Sequence, residues 1–256
     1  MRAINLNGDM GESFGRYTIG DDAALIKIVK SASIACGFHA GDPGVMANAV
    51  ALAKAHGVSI GAHPSFPDLQ GFGRRPMSMR ASEIEHMIAY QIGALQGIAA
   101  AQGVRVTHVK PHGALNNIAH TDVECATAIA HAIRAVDRDL IFVANACSEM
   151  VKVGEAAGLR VAHEAYADRT YDDAGRLTSR QLAGALITDP DIAVTQVLSF
   201  LDAGALLSGS GKRLPTRIDT FCAHGDELSG VAVMRAVRTA LQARGVDIIT
   251  LPEMAL

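Results

Sequence analysis

Short apolar runs rich in Val, Ile and Ala alternate with longer helical stretches along almost the whole chain. The runs lie at about 2–6, 32–37, 58–62, 104–109, 139–144, 159–164 and 217–222, with a further one at 247–251. They are apolar on both faces, which suits buried parallel strands better than an antiparallel sheet wetted on one side. Helical stretches with recognisable ends fill the gaps. Asp42-Pro43 opens one that Gly57 closes. Ser82 and Glu85 have capping-box spacing before a helix reaching Gln102, and Thr121 and Glu124 repeat it before 125–136. Asp189-Pro190 and Ser229 open two more. Such a βα order implies right-handed crossovers. Seven or eight strands without a charged edge predict an α/β fold: one closed or nearly closed barrel spanning residues 1–256. A doubly wound open sheet is the alternative. The length of 256 residues fits a single barrel.

Acids and imidazoles recur where these runs end. Asp9 and Glu12 follow the first, His39 and Asp42 the second and His63 the third. Lys110 and His112 follow the fourth, Glu164 and Arg169 the sixth, and His224 and Asp226 the seventh. Parallel strands would bring all of them to one rim, where α/β folds carry their chemistry. Composition narrows the class further. The net charge is −3 with both signs interspersed, so no basic face favours nucleic acid. Four cysteines without CxxC spacing and a polar first segment point to a reduced, cytoplasmic protein. No run is long enough to span a membrane.

Each candidate has a plainer alternative. Asn5 and Asn7 share a strand face, so a polar inner rim is expected, although Asn-Gly-Asp also suits a turn. Asp42 reads equally as a helix cap. Lys110, at a strand end, would bind a substrate carboxylate or phosphate, or lie along the surface. Arg169 would grip the same kind of anion or pair with Asp168. Asp9 with His39, His63 or His112 offers ligands for a divalent metal, but without HxH or HExxH spacing. Ser208-Gly209-Ser210-Gly211-Lys212-Arg213 fails as a phosphate loop, because Leu206 and Arg213 hold the places of the first Gly and the Ser/Thr. Two irregular stretches, 64–80 and 165–188, are long enough to act as lids or binding loops.

Several strings together resemble the LamB/YcsF family. They include Leu6-Asn7-Gly8-Asp9-Met10-Gly11-Glu12, Ala35-Cys36-Gly37-Phe38-His39-Ala40-Gly41-Asp42 and Gly61-Ala62-His63-Pro64. Gly71-Phe72-Gly73-Arg74, His108-Val109-Lys110-Pro111-His112-Gly113, Ala167-Asp168-Arg169 and Cys222-Ala223-His224-Gly225-Asp226 complete the set. The resemblance implies a seven-stranded β/α barrel related to polysaccharide deacetylases. It also implies ATP-dependent opening of 5-oxoproline to L-glutamate, performed together with two further subunits, B and C. Asn5, Asn116 and Thr170 depart from the family pattern, which usually has Asp, Tyr and Gly there. On this reading Asp9, Glu12, His39, Asp42, His63, Lys110, His112 and His224 are the catalytic candidates. Asn7, Lys110, Glu164, Arg169 and Asp226 are the substrate-binding candidates, and Asp9, His39 and His112 the metal candidates. Lys110 and Arg169 would clamp the anion, and a histidine oriented by Asp42 or Asp9 would be the base. Two alternatives stand beside it: a metal-dependent amidohydrolase or deacetylase that ignores ATP, and a non-catalytic subunit that only binds the substrate.

Overall fold

The computed structural model describes residues 3–223 and 229–256. In chain order the elements are β1 (Ala3–Met10), α1 (Asp22–Leu25), β2 (Ser31–Ala35), α2 (Pro43–Ala55), β3 (Ser59–His63), α3 (Ala81–Ala101) and β4 (Val106–Val109). Then come α4 (Gly113–Ala119), α5 (Val123–Val136), β5 (Ile141–Asn145), α6 (Glu149–Ala156), β6 (Val161–Tyr166) and α7 (Pro190–Ala203). The chain ends with β7 (Ala205–Leu207), β8 (Arg213–Pro215), β9 (Thr220–Ala223), α8 (Gly230–Ala243), β10 (Asp247–Ile248) and a 3-10 turn at Leu251–Glu253. Strands β1 to β6 pair in sequence, β6 pairs with β9, and β9 returns to β1, all in parallel. The sheet therefore closes into the expected seven-stranded barrel, and the open sheet is excluded. β10 adds only to the start of β1.

Strand alternation splits β1 between two environments. Ile4, Leu6 and Met10 join the main core, and a Cβ on Gly8 would overlap Leu25 of α1. Asn5, Asn7 and Asp9 therefore face the barrel interior. The lower interior is apolar: Ile141, Val143 and Ala162 meet Leu251 and Met254 from the C-terminal turn. Asn5 seals this plug by donating to Ile249 O at 2.7 Å, and Leu251 N donates to Ser31 Oγ. Asn5 also donates to Ser31 Oγ and accepts from Thr220. It lies two inward positions below Asp9, so the family's Asp at this place would not have put its charge in the mouth.

Some boundaries differ from the expectation. α3 is capped at Arg80 with Glu83 closing the box, not at Ser82 with Glu85. α5 is capped by Asp122, whose carboxylate accepts from Cys125 N at 3.0 Å; Thr121, one residue earlier, is not the cap. Helix α4 and the β7–β8 hairpin were not anticipated, being too short to show a period. The 165–188 stretch contains the expected turn, with Asp172 accepting from Ala174 N and Arg176 N. The Ser208–Lys212 loop closes on its own neighbour: Ser208 and Ser210 both donate to Asp173, and Lys212 Nζ donates to Asp173 O. No helix among the described residues is long and apolar enough to cross a membrane.

Inside the barrel the His108 ring covers Gly61, and a Cβ there would run into the imidazole. Gly61→Ala is expected to cost about 1–3 kcal/mol of stability through overpacking. The denaturant midpoint reads this directly, and an unchanged midpoint would mean that the His108 ring has room to move.

Candidate active site

Strand ends and the turns after them deliver the candidates. β1 stops at Met10, and Gly11, with φ +66°, turns the chain so that Glu12 comes back over the barrel mouth. His63 is the last residue of β3 and points inward. Beyond β4 the pairing continues: Lys110 N donates to Ala62 O and His112 N to Pro64 O, both at 2.9 Å. That extension sets His112 beside His63 across Pro111. His39 arrives on the loop after β2 and stacks on His112, with centroids 3.8 Å apart and planes 6° from parallel.

Glu12, His39, His63 and His112 each bring a ligand atom within 4.8 Å of the others, and all four are buried. Glu12 Oε1 lies 3.0 Å from His39 Nε2 and 3.4 Å from His112 Nδ1. Asp9 Oδ2 lies 3.3 Å from His63 Nε2. Backbone carbonyls decide the tautomers. His63 Nδ1 sits 2.7 Å from Lys110 O, and His112 Nε2 sits 2.8 Å from Phe72 O. A carbonyl only accepts, so both of these ring nitrogens carry protons. With both rings in the neutral form that a metal ligand needs, the inner nitrogens, His63 Nε2 and His112 Nδ1, present lone pairs that face each other at 3.0 Å. Two lone pairs and a carboxylate aimed at one point call for a cation between them. Carbonyls fixing the outer nitrogens are the usual support of metal-binding histidines. Burial, then the neighbouring imidazoles, press the pKa of His112 well below its ordinary value, so it does not supply that cation by protonation. Burial does the same to His39, with His63 the next cause.

Beneath this cluster lies an ionic knot. Lys110, 1% exposed, donates to Asn7 Oδ1 at 3.0 Å and reaches Asp9 Oδ1 at 2.7 Å and Glu164 Oε1 at 3.0 Å. Asn7 donates in turn to Glu164 and Thr220. Burial opposes the ammonium, but Asp9, Cys222 and Glu164 outweigh it and hold the Lys110 pKa well above the ordinary lysine value. Three acids, Asp9, Glu12 and Glu164, and one ammonium thus share the barrel mouth. A donor set rich in carboxylate oxygens and imidazoles suits a divalent cation.

The structure redistributes several expected roles. Glu12 stands with the three histidines, and Asp9 lies beside them, with Oδ1 on Lys110 and Oδ2 against His63 Nε2. Asp42 does not orient His39: its carboxylate caps α2 by accepting from Gly44 and Val45 N, and also binds Gly15 N. Lys110 is enclosed among its partners and is not an open clamp. Arg169 is also committed, donating to Thr178 O and Ala185 O, so it fastens the 165–188 loop. Glu164 and Asn7 hold Lys110. His224 and Asp226 lie outside the described residues. Sequence reasoning missed Tyr166, whose ring lies under Lys110 Nζ at 5.5 Å, and Cys222, within 3.1 Å of the same nitrogen. Both are inward positions of strands already identified, and counting by twos from Glu164 and Thr220 reaches them.

Lys110→Met is expected to destabilise the fold by about 3–5 kcal/mol, since it strands buried carboxylates. Chemical denaturation measures it, and a loss below about 1 kcal/mol would contradict the charged knot. His108 sets a pH dependence. Burial first, then the Lys110 charge, push its pKa down to about 3, against 6.5 ordinarily. Above the ordinary value it is neutral in both states and its contribution is complete. As pH falls from there toward 3, the unfolded chain takes up the proton first. Stability then declines by up to about 1.4 kcal/mol per pH unit from this residue. His108→Gln is expected to flatten that slope.

The LamB/YcsF family model matches residues 4–256. A protein of Azoarcus sp. (strain BH72), named as the A-type subunit of 5-oxoprolinase, is 54% identical over 254 residues, covering 99% of both chains. A Rhodopseudomonas palustris (strain BisB5) protein of the same name is 54% identical over 247 residues, covering 96% of this chain and 97% of its own. Among solved structures, a lactam utilization protein from Thermus thermophilus superposes with a TM-score of 0.91 at 43% identity, covering 97% of this chain and 100% of that one. The catalytic domain of a peptidoglycan N-acetylglucosamine deacetylase from Eubacterium rectale ATCC 33656 shares the fold, with a TM-score of 0.53 at 12% identity over 98% of this chain and 88% of that one. The chain belongs to the LamB/YcsF family.

Proposed function

We propose that this chain is the ring-opening subunit of an ATP-dependent 5-oxoprolinase and that it works with a divalent metal held by Glu12, His39, His63 and His112. One observation carries the metal: two ring lone pairs, fixed by the carbonyls of Lys110 and Phe72, converge beside Glu12. The substrate follows from the relatives, which are named for 5-oxoproline and for lactams. A metal bound there supplies a Lewis acid that polarises a carbonyl and acidifies water.

The chain's own residues supply the rest. The Lys110 and Phe72 carbonyls engage the outer N–H groups of His63 and His112, which turns the inner nitrogens of both rings toward the metal position. Lys110 holds Asp9 by Oδ1, which leaves Oδ2 beside the cluster. Asp9 takes the proton of a water attacking the ring carbonyl. It returns that proton to the ring nitrogen as the C–N bond breaks, giving the open amino acid. Glu164 and Asn7 keep Lys110 in place throughout. The Ser208–Lys212 loop does not fit a nucleotide phosphate, since Asp173 already accepts from its hydroxyls. In this reading ATP coupling is carried out together with subunits B and C, in the cytoplasm.

The test is turnover of 5-oxoproline by this chain alone and then with subunits B and C, each with and without ATP. Turnover is expected only from the full set with ATP. It should be lost on chelation and restored by a divalent ion, and Glu12→Gln should lower the metal content of the purified chain. Chelator-sensitive activity that ignores ATP would replace this reading with a metal-dependent amidohydrolase. Full turnover by a His112→Asn complex would reduce the chain to a binding role.

A further inference from the structure

The end of β5 leaves a buried polar group unanswered at the barrel mouth. Ile141 and Val143 face the barrel interior, so alternation turns Asn145, the last residue of the strand, the same way. On one side the strand register sets Asn145 beside Glu164, which holds Lys110. On the other side His108 pairs with Ile141, and that register, carried four residues further, brings His112 level with Asn145. Asn145 is 3% exposed, and its Oδ1 has no hydrogen-bond partner among the described residues. A buried amide oxygen is rarely left so, because it forfeits its hydration without return.

The backbone holds the amide at this place. Asn145 O accepts from Ser148 N at 3.2 Å and from Ser148 Oγ at 2.6 Å, and Ala146 N donates to Glu164 O at 2.9 Å. Between them Cys147 takes φ +66°, a left-handed backbone that residues with a side chain seldom adopt. A Cβ on Gly175 would come within 2.9 Å of Cys147 Cβ, so the 165–188 loop packs onto the turn. The neighbouring donors are committed elsewhere. Lys110 Nζ serves Asn7, Asp9 and Glu164, and Asn7 Nδ2 serves Glu164 and Thr220. A donor for Asn145 Oδ1 is left to come with what enters the mouth.

We propose that the Asn145 side-chain amide pairs with the amide edge of the substrate ring and selects lactams over lactones. The proposal rests on the ring-opening reading above. A five-membered ring holds its amide cis, so its N–H and C=O lie on one edge. A carboxamide presents an acceptor and a donor side by side to match them. The ring N–H donates to Asn145 Oδ1. The ring carbonyl accepts from Asn145 Nδ2 by one lone pair, and its other lone pair is left toward Glu12 and the histidines. As the C–N bond breaks, Asp9 delivers its proton to the nitrogen lone pair, which stands out of the ring plane. The in-plane N–H therefore stays on Oδ1 throughout, and the nitrogen leaves as an amine. A lactone has oxygen in place of N–H and sets a lone pair against Oδ1, which a site built to accept a hydrogen bond rejects.

The experiment uses the complex with subunits B and C, ATP and a divalent ion. It measures turnover of 5-oxoproline and inhibition by the lactone counterpart, the same ring and carboxylate with oxygen in place of N–H. Asn145→Val is expected to lower kcat/KM for 5-oxoproline roughly ten- to hundred-fold, the range for two neutral hydrogen bonds. The inhibition constant of the lactone should move by less than about three-fold, so the preference for the lactam is lost. Thermal melting supplies a second readout: removing an unpaired buried amide should leave Tm unchanged or raise it. If Asn145→Val is too bulky to fold, Asn145→Ala carries both measurements. Unchanged kcat/KM, an equal loss for lactam and lactone, or a lowered Tm in both variants would overturn the proposal alone. Absence of turnover by the wild-type complex would overturn the ring-opening reading along with it.

Discussion

Lys110 and the carboxylates around it hold the upper barrel together. A lysine with 1% exposure is tolerable only with its charge answered, and Asp9 and Glu164 answer it from two other strands. Asn7 and Cys222 complete the shell. Residues from β1, β6 and β9 are thereby tied to the strand that leads into His112. Buried ion pairs add little net stability, but breaking one is costly, so this knot restricts the barrel to one arrangement of its strands. The polar layers below repeat the logic with neutral groups: Asn5, Ser31 and Thr220 satisfy one another above an apolar plug.

The histidine cluster depends on the knot in two ways. The Lys110 carbonyl sets the tautomer of His63 while the Lys110 ammonium holds Asp9 by Oδ1, with Oδ2 beside His63 Nε2. One residue thus determines both which nitrogen is available and which acid stands near it. Loops supply the remaining constraint. Asp68 fastens the 64–80 loop against the mouth, and Arg169 fastens 165–188. The site is enclosed by backbone held in place by buried side chains, and electrostatic preorganisation requires this rigidity.

Much of this was legible in the residues. The apolar runs at 32–37, 58–62 and 139–144 became strands because continuous Val, Ile and Ala cannot face water on either side of a parallel sheet. The rule that polar residues ending such runs meet at one rim located His39, His63, Lys110 and His112 together. Asp42 was ambiguous, since the same carboxylate serves as cap or catalytic acid, and three backbone N–H groups resolved it as a cap. The caps of α3 and α5 shifted by one or two residues because several nearby side chains can each accept from a helix N-terminus. Phe72 stood in a stretch without periodicity, where no local pattern distinguishes a lid from a linker.

Sequence alone pointed to seven or eight parallel strands alternating with helices and to the gathering of imidazoles and acids at one mouth. These follow from periods of two and from chain order, which are local properties of the polymer. Only the tertiary structure decided that Glu12 joins the histidines, that Lys110 and Arg169 are enclosed, and that the Phe72 carbonyl and ring lie against the cluster. Each of those choices turns on distances of about 3 Å between segments remote in the chain, the range at which hydrogen bonds and ion pairs select partners. Spacing along one strand does not encode the position of a side chain on another.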